Sequence, residues 1–290
     1  MPEKKTFAII GNPVKHSLSP EIHSYIYKQL GLPHSYKKIQ LSTVQLKKFI
    51  MRCKKNDFQG FNVTIPHKVT IIPFLDEIKK QATCTGAVNT VINENSVLRG
   101  YNTDVAGCRY ALERSSWEQT GKVVILGAGG ACRAALAALL NFSPSSVRIL
   151  NRNPEKAYQL KKKFSDYVKF DIYAENIKFE NIGKILSDTS LLINTTPVGM
   201  WPCIHDSPVP EADMIPVHAT VFDMVPNPVY TRLLKQAEHR GASTINGGIM
   251  LVSQAIAAQE IWLNQKLPEA LFHTIYTYLT EYMSQYYEYN

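Results

Sequence analysis

One stretch limits the possible folds more than any other: residues 121–133, Gly-Lys-Val-Val-Ile-Leu-Gly-Ala-Gly-Gly-Ala-Cys-Arg. An apolar run ends in glycines and opens onto an alanine-rich segment, which predicts a strand, a tight turn and a helix. Glycine suits such a turn because its backbone reaches angles closed to other residues, and because a missing Cβ lets a pyrophosphate approach the main chain. The free amides at the start of the following helix then hold the anion. Gly127, Ala128, Gly129, Gly130 and Ala131 are the candidate cradle, although the glycine spacing alone is also compatible with an ordinary turn.

The next predicted strand, Val147-Arg-Ile-Leu150, ends at Asn151 and Arg152. A βαβ unit places the residue that meets the adenosine ribose here, and enzymes that use NAD usually carry Asp or Glu at that point. This chain offers Asn151, Arg152 and, a turn later, Lys156. A fork of guanidinium donors suits a 2′-phosphate, so the expected cofactor is NADP rather than NAD. The alternative is that Arg152 is a solvated residue at a helix start.

A chain of 290 residues has room for two cores of ordinary size, and 45 % hydrophobic with 19 % charged residues describes a folded protein. No apolar run reaches membrane-spanning length and no signal-peptide pattern precedes the first strand, so a cytoplasmic protein without a membrane partner is expected. The five cysteines form no C-x-x-C pair and the eight histidines no ligand cluster; reduced thiols and no metal site follow. The net charge of +8 comes from dispersed lysine pairs without a binding motif. It argues for a solvated basic surface that gathers anions rather than for a nucleic-acid partner.

Along the chain, a strand over residues 6–10 stops at Gly11. A loop follows that carries Ser17 and Ser19 before Pro20, and two hydroxyls at this spacing in an extended segment share a face. Either they cap a helix over residues 21–30 or they bind a ligand. Residues 60–65 alternate as a half-buried strand, with Phe61, Val63 and Ile65 on one side and Asn62 and Thr64 on the other; Lys68 stands beyond Pro66. Polar groups at the carboxyl ends of strands are common ligand sites in open α/β sheets. A hairpin over residues 90–101 leads to Asp104, which is either a helix N-cap or part of a site. Strands near residues 123, 147, 170, 191, 221 and 243 then alternate with helices over 131–140, 154–164 and 231–240, which implies a parallel, doubly wound sheet. Two helices over 249–264 and 268–282 close the chain, the first carrying Gln254.

These residues form eight ordered motifs: Gly11 to Pro20, Phe61 to Lys68, Gly86 to Thr90, Asn102 to Asp104, Gly127 to Ala131, Asn151-Arg152, Asn194 to Met200 and Gly247 to Gln254. In this order the chain resembles the shikimate dehydrogenase family over essentially its whole length. The resemblance implies an α/β substrate domain at residues 1–104 and a Rossmann-like NADP domain at 105–246. C-terminal helices at 247–290 would pack back on the first domain. It further implies that Ser17, Ser19, Asn62, Thr64, Lys68, Asn89, Asp104 and Gln254 surround shikimate or 3-dehydroshikimate, with Lys68 and Asp104 catalytic. Thr195, Met224 and Gly247 would join the glycine turn, Asn151, Arg152 and Lys156 at the cofactor. A monomer or homodimer is expected.

Two departures from the family pattern stand out. Members commonly carry a tyrosine in a D-x-x-Y-N-P segment, where this chain has Pro226, and Lys80 stands where an acid is often found. Losing that hydroxyl predicts weaker substrate binding unless Tyr230 compensates. The rival readings are a quinate/shikimate dehydrogenase and a non-catalytic binding paralogue; a folate-pathway dehydrogenase would leave the serine loop and Gln254 without purpose.

Overall fold

Phe7-Ala-Ile-Ile10 carries large apolar side chains toward both faces, so this strand is stable only inside a sheet covered on two sides. The computed structural model, which describes residues 3–55, 57–177 and 181–288, places it there. In chain order the first part contains β1 (Thr6–Gly11), α1 (Ser19–Gln29), β2 (Ser35–Gln40), α2 (Thr43–Cys53), β3 (Gly60–Val63), α3 (His67–Thr70), β4 (Glu77–Ile78), α4 (Lys80–Thr85), β5 (Thr90–Glu94), β6 (Val97–Tyr101) and α5 (Thr103–Glu113). The strands form one mixed sheet in the order β2-β1-β3-β5-β6-β4. Ala8 and Ile10 join Leu46, Phe49 and Ile50 of α2 in one core. Phe7 and Ile9 join Tyr27, Tyr36 and, from the C-terminal part of the chain, Ala258 and Trp262 in the other.

The second part contains β7 (Lys122–Leu126), α6 (Gly130–Leu139), β8 (Ser146–Asn151), α7 (Pro154–Phe164), β9 (Asp171–Asn176), α8 (Ile182–Leu186), β10 (Thr189–Asn194), β11 (Thr220–Asp223), α9 (Arg232–His239), β12 (Ser243–Asn246), α10 (Gly247–Leu263) and α11 (Glu269–Glu288). Its sheet is parallel throughout, in the order β12-β11-β10-β7-β8-β9. The order reverses between β7 and β10, the switch point where open α/β sheets bind their ligands. Every residue of α6 from Ala134 to Leu139 is buried. Its alanines let the helix lie close against the sheet.

The chain divides into two compact units, Met1–Ala106 with Val252–Thr277, and Gly107–Leu251 with Tyr278–Asn290. The divisions fall inside α5, α10 and α11 rather than at the expected residues 104 and 246. A 17-residue helix such as α10 is roughly 25 Å long and need not be confined to one core.

Two local expectations are corrected. β3 ends at Val63 rather than continuing to Ile65, and Ile65 is 70 % exposed instead of facing the core. The alternating pattern ran past the strand because proline ends the ladder without changing the polarity of its neighbours. The helix after the serine loop begins at Ser19, two residues earlier than expected, because Pro20 fits its first turn. The short elements α3, α4, α8 and β4 carried no periodic signal.

Candidate active site

In the first unit the polar residues collect at the carboxyl end of β3 and the start of α5. Lys68, on the one-turn helix α3, donates from Nζ to Asp104 Oδ2 at 2.5 Å. The second carboxylate oxygen, Oδ1, accepts from Asn89 Nδ2 at 2.8 Å. Asp104 is largely buried in the first turn of α5, where the helix dipole also favours a negative charge.

Asn89 is held on every side. Its Oδ1 accepts from the Thr103 backbone N–H at 2.7 Å and from Thr90 Oγ1 at 3.0 Å, and its Nδ2 also reaches Thr103 Oγ1 at 3.0 Å. A flipped amide would set a carbonyl oxygen against the Asp104 carboxylate, so the backbone donor at Thr103 decides the orientation. Behind this layer, Asn62 donates to the Asn89 carbonyl at 3.2 Å and to Thr90 Oγ1 at 3.0 Å, and its Oδ1 accepts from the Tyr36 hydroxyl at 2.6 Å. Both N–H groups of Asn62 are therefore committed inside the protein.

Ser17 Oγ donates to Ser19 Oγ at 3.2 Å and accepts from the Ser19 N–H at 3.3 Å. The cap position of α1 is Leu18, with no side-chain cap hydrogen bond. The helix is thus started by Pro20 and the Ser17 turn, and the paired hydroxyls remain at its mouth. Thr64 is half-buried after β3. Gln254 is buried on α10, one and two turns before Ala258 and Trp262 on the same helix face. That face packs into the core containing Tyr36. Sequence reasoning passed over Tyr36 and His23. Burial pushes the His23 imidazole down to about 3, so it is neutral, and its ring stacks on Tyr36 with centroids 4.3 Å apart.

The second unit carries the glycine turn at the switch point. Gly127 has φ +103°, and a Cβ there would lie 2.7 Å from Thr195 Oγ1. Glycine is therefore required by the protein itself where the turn after β7 meets the loop after β10. Gly129 differs: it caps α6 with an extended backbone, and a Cβ there would meet nothing within 4 Å. Open space before free helix amides is what a pyrophosphate needs, and the residues present fit a dinucleotide. Ala128, Gly130 and Ala131 complete that turn and the start of α6.

Asn151 closes β8, its Nδ2 bonding the Asn153 carbonyl at 2.7 Å, and Asn153 in turn caps α7. Arg152 and Lys156 are exposed beside this loop, with no ion pair among the described residues. Two cations without carboxylate partners suit a phosphate. Thr195 donates to the Leu126 carbonyl at 2.7 Å, and the Met224 N–H donates to the Asn194 carbonyl at 3.0 Å. Gly247 is explained by packing: a Cβ there would lie 2.4 Å from the Val225 carbonyl oxygen.

A further polar row, which the sequence analysis did not single out as a site, ends the strands. Asn194 donates to Asp223 Oδ1 at 2.9 Å, and Asp223 also accepts from the Val225 N–H at 3.1 Å and Thr231 Oγ1 at 2.6 Å. Burial pushes the Asp223 carboxyl up to about 6 against these bonds. The signal was available, because Leu-Leu-Ile-Asn and Thr-Val-Phe-Asp both end apolar strands in a polar residue.

Against known families, residues 9–91 match the shikimate dehydrogenase substrate binding domain and residues 110–224 match the shikimate/quinate 5-dehydrogenase domain. The chain belongs to the shikimate dehydrogenase family. The NADP(+) shikimate dehydrogenase of Methanosphaera stadtmanae is 39 % identical over 257 residues, covering 88 % of this chain and 89 % of the relative. A shikimate dehydrogenase crystallised with NADP+ superposes with TM-score 0.86 at 35 % identity, covering 97 % of this chain and 96 % of that one. The enzyme of Thermus thermophilus in complex with NADP(H) and shikimate gives 0.82 at 30 % identity, over 95 % and 99 % of the two chains.

Within the family pattern, Pro226 follows β11 half-buried, and Tyr230 does not offer its hydroxyl as a substitute for the missing tyrosine. The Tyr230 ring packs against the core of the second unit, and its hydroxyl is buried without a hydrogen-bond partner among the described residues. Lys80 is exposed at the start of α4. Among the described residues there is no cluster of metal ligands, and no helix is long and apolar enough to cross a membrane.

Proposed function

We propose that this chain is an NADP-dependent shikimate dehydrogenase, which interconverts 3-dehydroshikimate and shikimate. The Lys68–Asp104 pair at 2.5 Å, braced by Asn89, is the observation that carries this reading. NADPH, when bound, supplies the hydride. Negative charge then develops on the substrate carbonyl oxygen, and the Lys68 ammonium stabilises it and supplies the proton from a unit it shares with Asp104. Asp104 holds the ammonium in place and accepts a hydrogen bond from the substrate hydroxyl. Ser17 and Ser19 take the carboxylate, while Thr64 and Gln254 take the remaining polar groups, and Asn89, both of whose N–H groups are committed to Thr103 and Asp104, orients the Asp104 carboxylate. Asn62, with its donors spent, holds Asn89 and Thr90 from behind.

In this reading the first unit, Met1–Ala106 with Val252–Thr277, is the substrate domain, and the second, Gly107–Leu251 with Tyr278–Asn290, is the NADP domain. The residues of the α6 cradle, Thr195, Met224 and Gly247 receive the dinucleotide, and Arg152 and Lys156 its 2′-phosphate, with Asn151 shaping their loop. Five cysteines, none in a disulfide among the described residues, suit a reducing, cytoplasmic compartment. The protein acts as a monomer or homodimer, which light scattering resolves.

The test is turnover of shikimate and of quinate, each with NADP and with NAD. Shikimate with NADP is expected to give the highest kcat/KM. Faster quinate turnover with NAD overturns the substrate and cofactor assignment, and tight shikimate binding without turnover overturns the enzyme.

A further inference from the structure

The cation at the centre of the site rests on a weak support. Helix α3 has four residues, and its closing hydrogen bond runs from the Ile71 N–H to the His67 carbonyl at 3.0 Å. One turn does not hold itself in water, because nucleating a helix fixes several dihedrals for each bond gained. Its other residues supply little packing: Val69 is 50 % exposed, Thr70 is exposed and Lys68 is half-buried. His67 is the exception, with no exposed surface at all.

The imidazole meets the Leu41 carbonyl through Nε2 at 2.7 Å. A carbonyl only accepts, so Nε2 carries the proton and donates. The acceptor is itself fixed: Leu41 is buried in the α2 core, and its N–H donates to the Gly11 carbonyl at 3.0 Å. Gly11 lies so close to the loop after β3 that a Cβ on it would fall 2.3 Å from Thr64 Cγ2. The His67 backbone N–H also donates to the Thr64 carbonyl at 2.9 Å, and the Val88 N–H to the Lys68 carbonyl at 2.7 Å. The ends of β1 and β2 thus form a rigid shelf, and His67 is the side chain that pins the short helix to it.

We propose that His67 is a positioning residue for the reaction, anchoring α3 to the Leu41 carbonyl so that the Lys68 ammonium is held against Asp104. It touches neither substrate nor cofactor. Its role follows from the geometry of a one-turn helix with a single buried side chain, and it rests on the functional reading above.

Nδ1 of His67 is buried and without a partner among the described residues, so only the Nε2 donor matters. Glutamine can place an amide N–H near that point and has no counterpart to Nδ1, whereas leucine fills the space without a donor and asparagine is one methylene too short. The experiment compares His67→Gln, His67→Leu and His67→Asn with the unaltered protein. It measures kcat, both KM values, NADPH binding by fluorescence titration and thermal unfolding. Misplacing a reacting group by about 1 Å can lower a rate roughly 100-fold. His67→Leu and His67→Asn are therefore expected to lose roughly 10- to 100-fold in kcat, with NADPH binding unchanged, while His67→Gln stays within about threefold of the unaltered protein. Should His67→Leu not fold, His67→Asn against His67→Gln makes the same comparison.

Equal kcat in all folded variants overturns the inference, as does equal impairment of His67→Gln and His67→Asn, because a merely structural role would not be rescued by the Nε donor alone. Absence of shikimate turnover in the unaltered protein instead removes the functional reading on which the inference stands.

Discussion

Replacing Lys68 by methionine keeps an unbranched side chain, one heavy atom shorter, and removes its charge. The structure separates two consequences. Asp104 loses the partner at 2.5 Å and keeps the Asn89 N–H at 2.8 Å, with the two charged side chains 23 % and 12 % exposed. Breaking a fully buried pair costs about 3–5 kcal/mol, and an exposed pair is worth about 0–1 kcal/mol. With water reaching part of both groups, and one hydrogen bond retained, about 1–2 kcal/mol of stability should be lost. A domain stable by about 5–15 kcal/mol stays folded after such a loss. The catalytic consequence is larger. A positioned proton donor contributes roughly 100- to 10,000-fold, or about 3–5 kcal/mol of barrier. Because the charge matters most when the carbonyl oxygen becomes negative, kcat should fall by that factor while KM for shikimate changes by less than about tenfold. Initial rates of NADP reduction, with thermal unfolding on the same sample, measure both. A kcat reduced by less than about tenfold, or equal factors in kcat and KM, refutes the role assigned to Lys68.

Three further outcomes are expected. Gly129→Ala should fold normally, since a Cβ there meets nothing within 4 Å, yet raise KM for NADPH; Gly127→Ala, at φ +103° and against Thr195, should destabilise the protein instead. Matching losses of stability in the two variants would contradict the cradle. Arg152→Ala should weaken NADPH binding by about 1–3 kcal/mol and affect NADH little, as titration of the two cofactors would reveal. Asp223 gives a pH dependence: its carboxyl is raised from 3.8 to about 6, so the folded state binds the proton more tightly than the unfolded chain. The resulting stabilisation, about 3 kcal/mol at most, is complete below about pH 4 and disappears as pH rises through about 6. The unfolding temperature of Asp223→Asn should therefore gain on that of the unaltered protein across this window, and parallel curves would exclude the effect.

The two kinds of residue in the site were unequally legible. Lys68 and Asp104 come from segments 36 positions apart, and each had a plain alternative as a surface lysine or a helix cap. Their ordered motifs pointed to a shared role, but the contact between them is a product of the fold. The serines are similar. Their spacing favoured capping over binding, and only the start of α1 at Ser19 shows the cap position held by Leu18. Asn62 was legible as a polar residue on a strand, yet the structure spends its donors on Asn89 and Thr90. Tyr36, His23 and His67 gave no signal, because a buried polar side chain looks in sequence like any other tyrosine or histidine.

Local chemistry settled what needs only neighbours along the chain. Gly127 and Gly129 announced a turn, the apolar runs announced β7, β8, β10 and β11, and their alternation with helices announced a parallel, doubly wound sheet. Those patterns are read within one or two turns of backbone, where sterics and periodicity act. Which strand lies beside which, which glycine the protein needs and which it leaves open for a ligand, and which donor meets which carbonyl depend on segments far apart in sequence. Tertiary packing decided them, because a hydrogen bond or a steric contact exists only between atoms already brought within a few ångströms of each other.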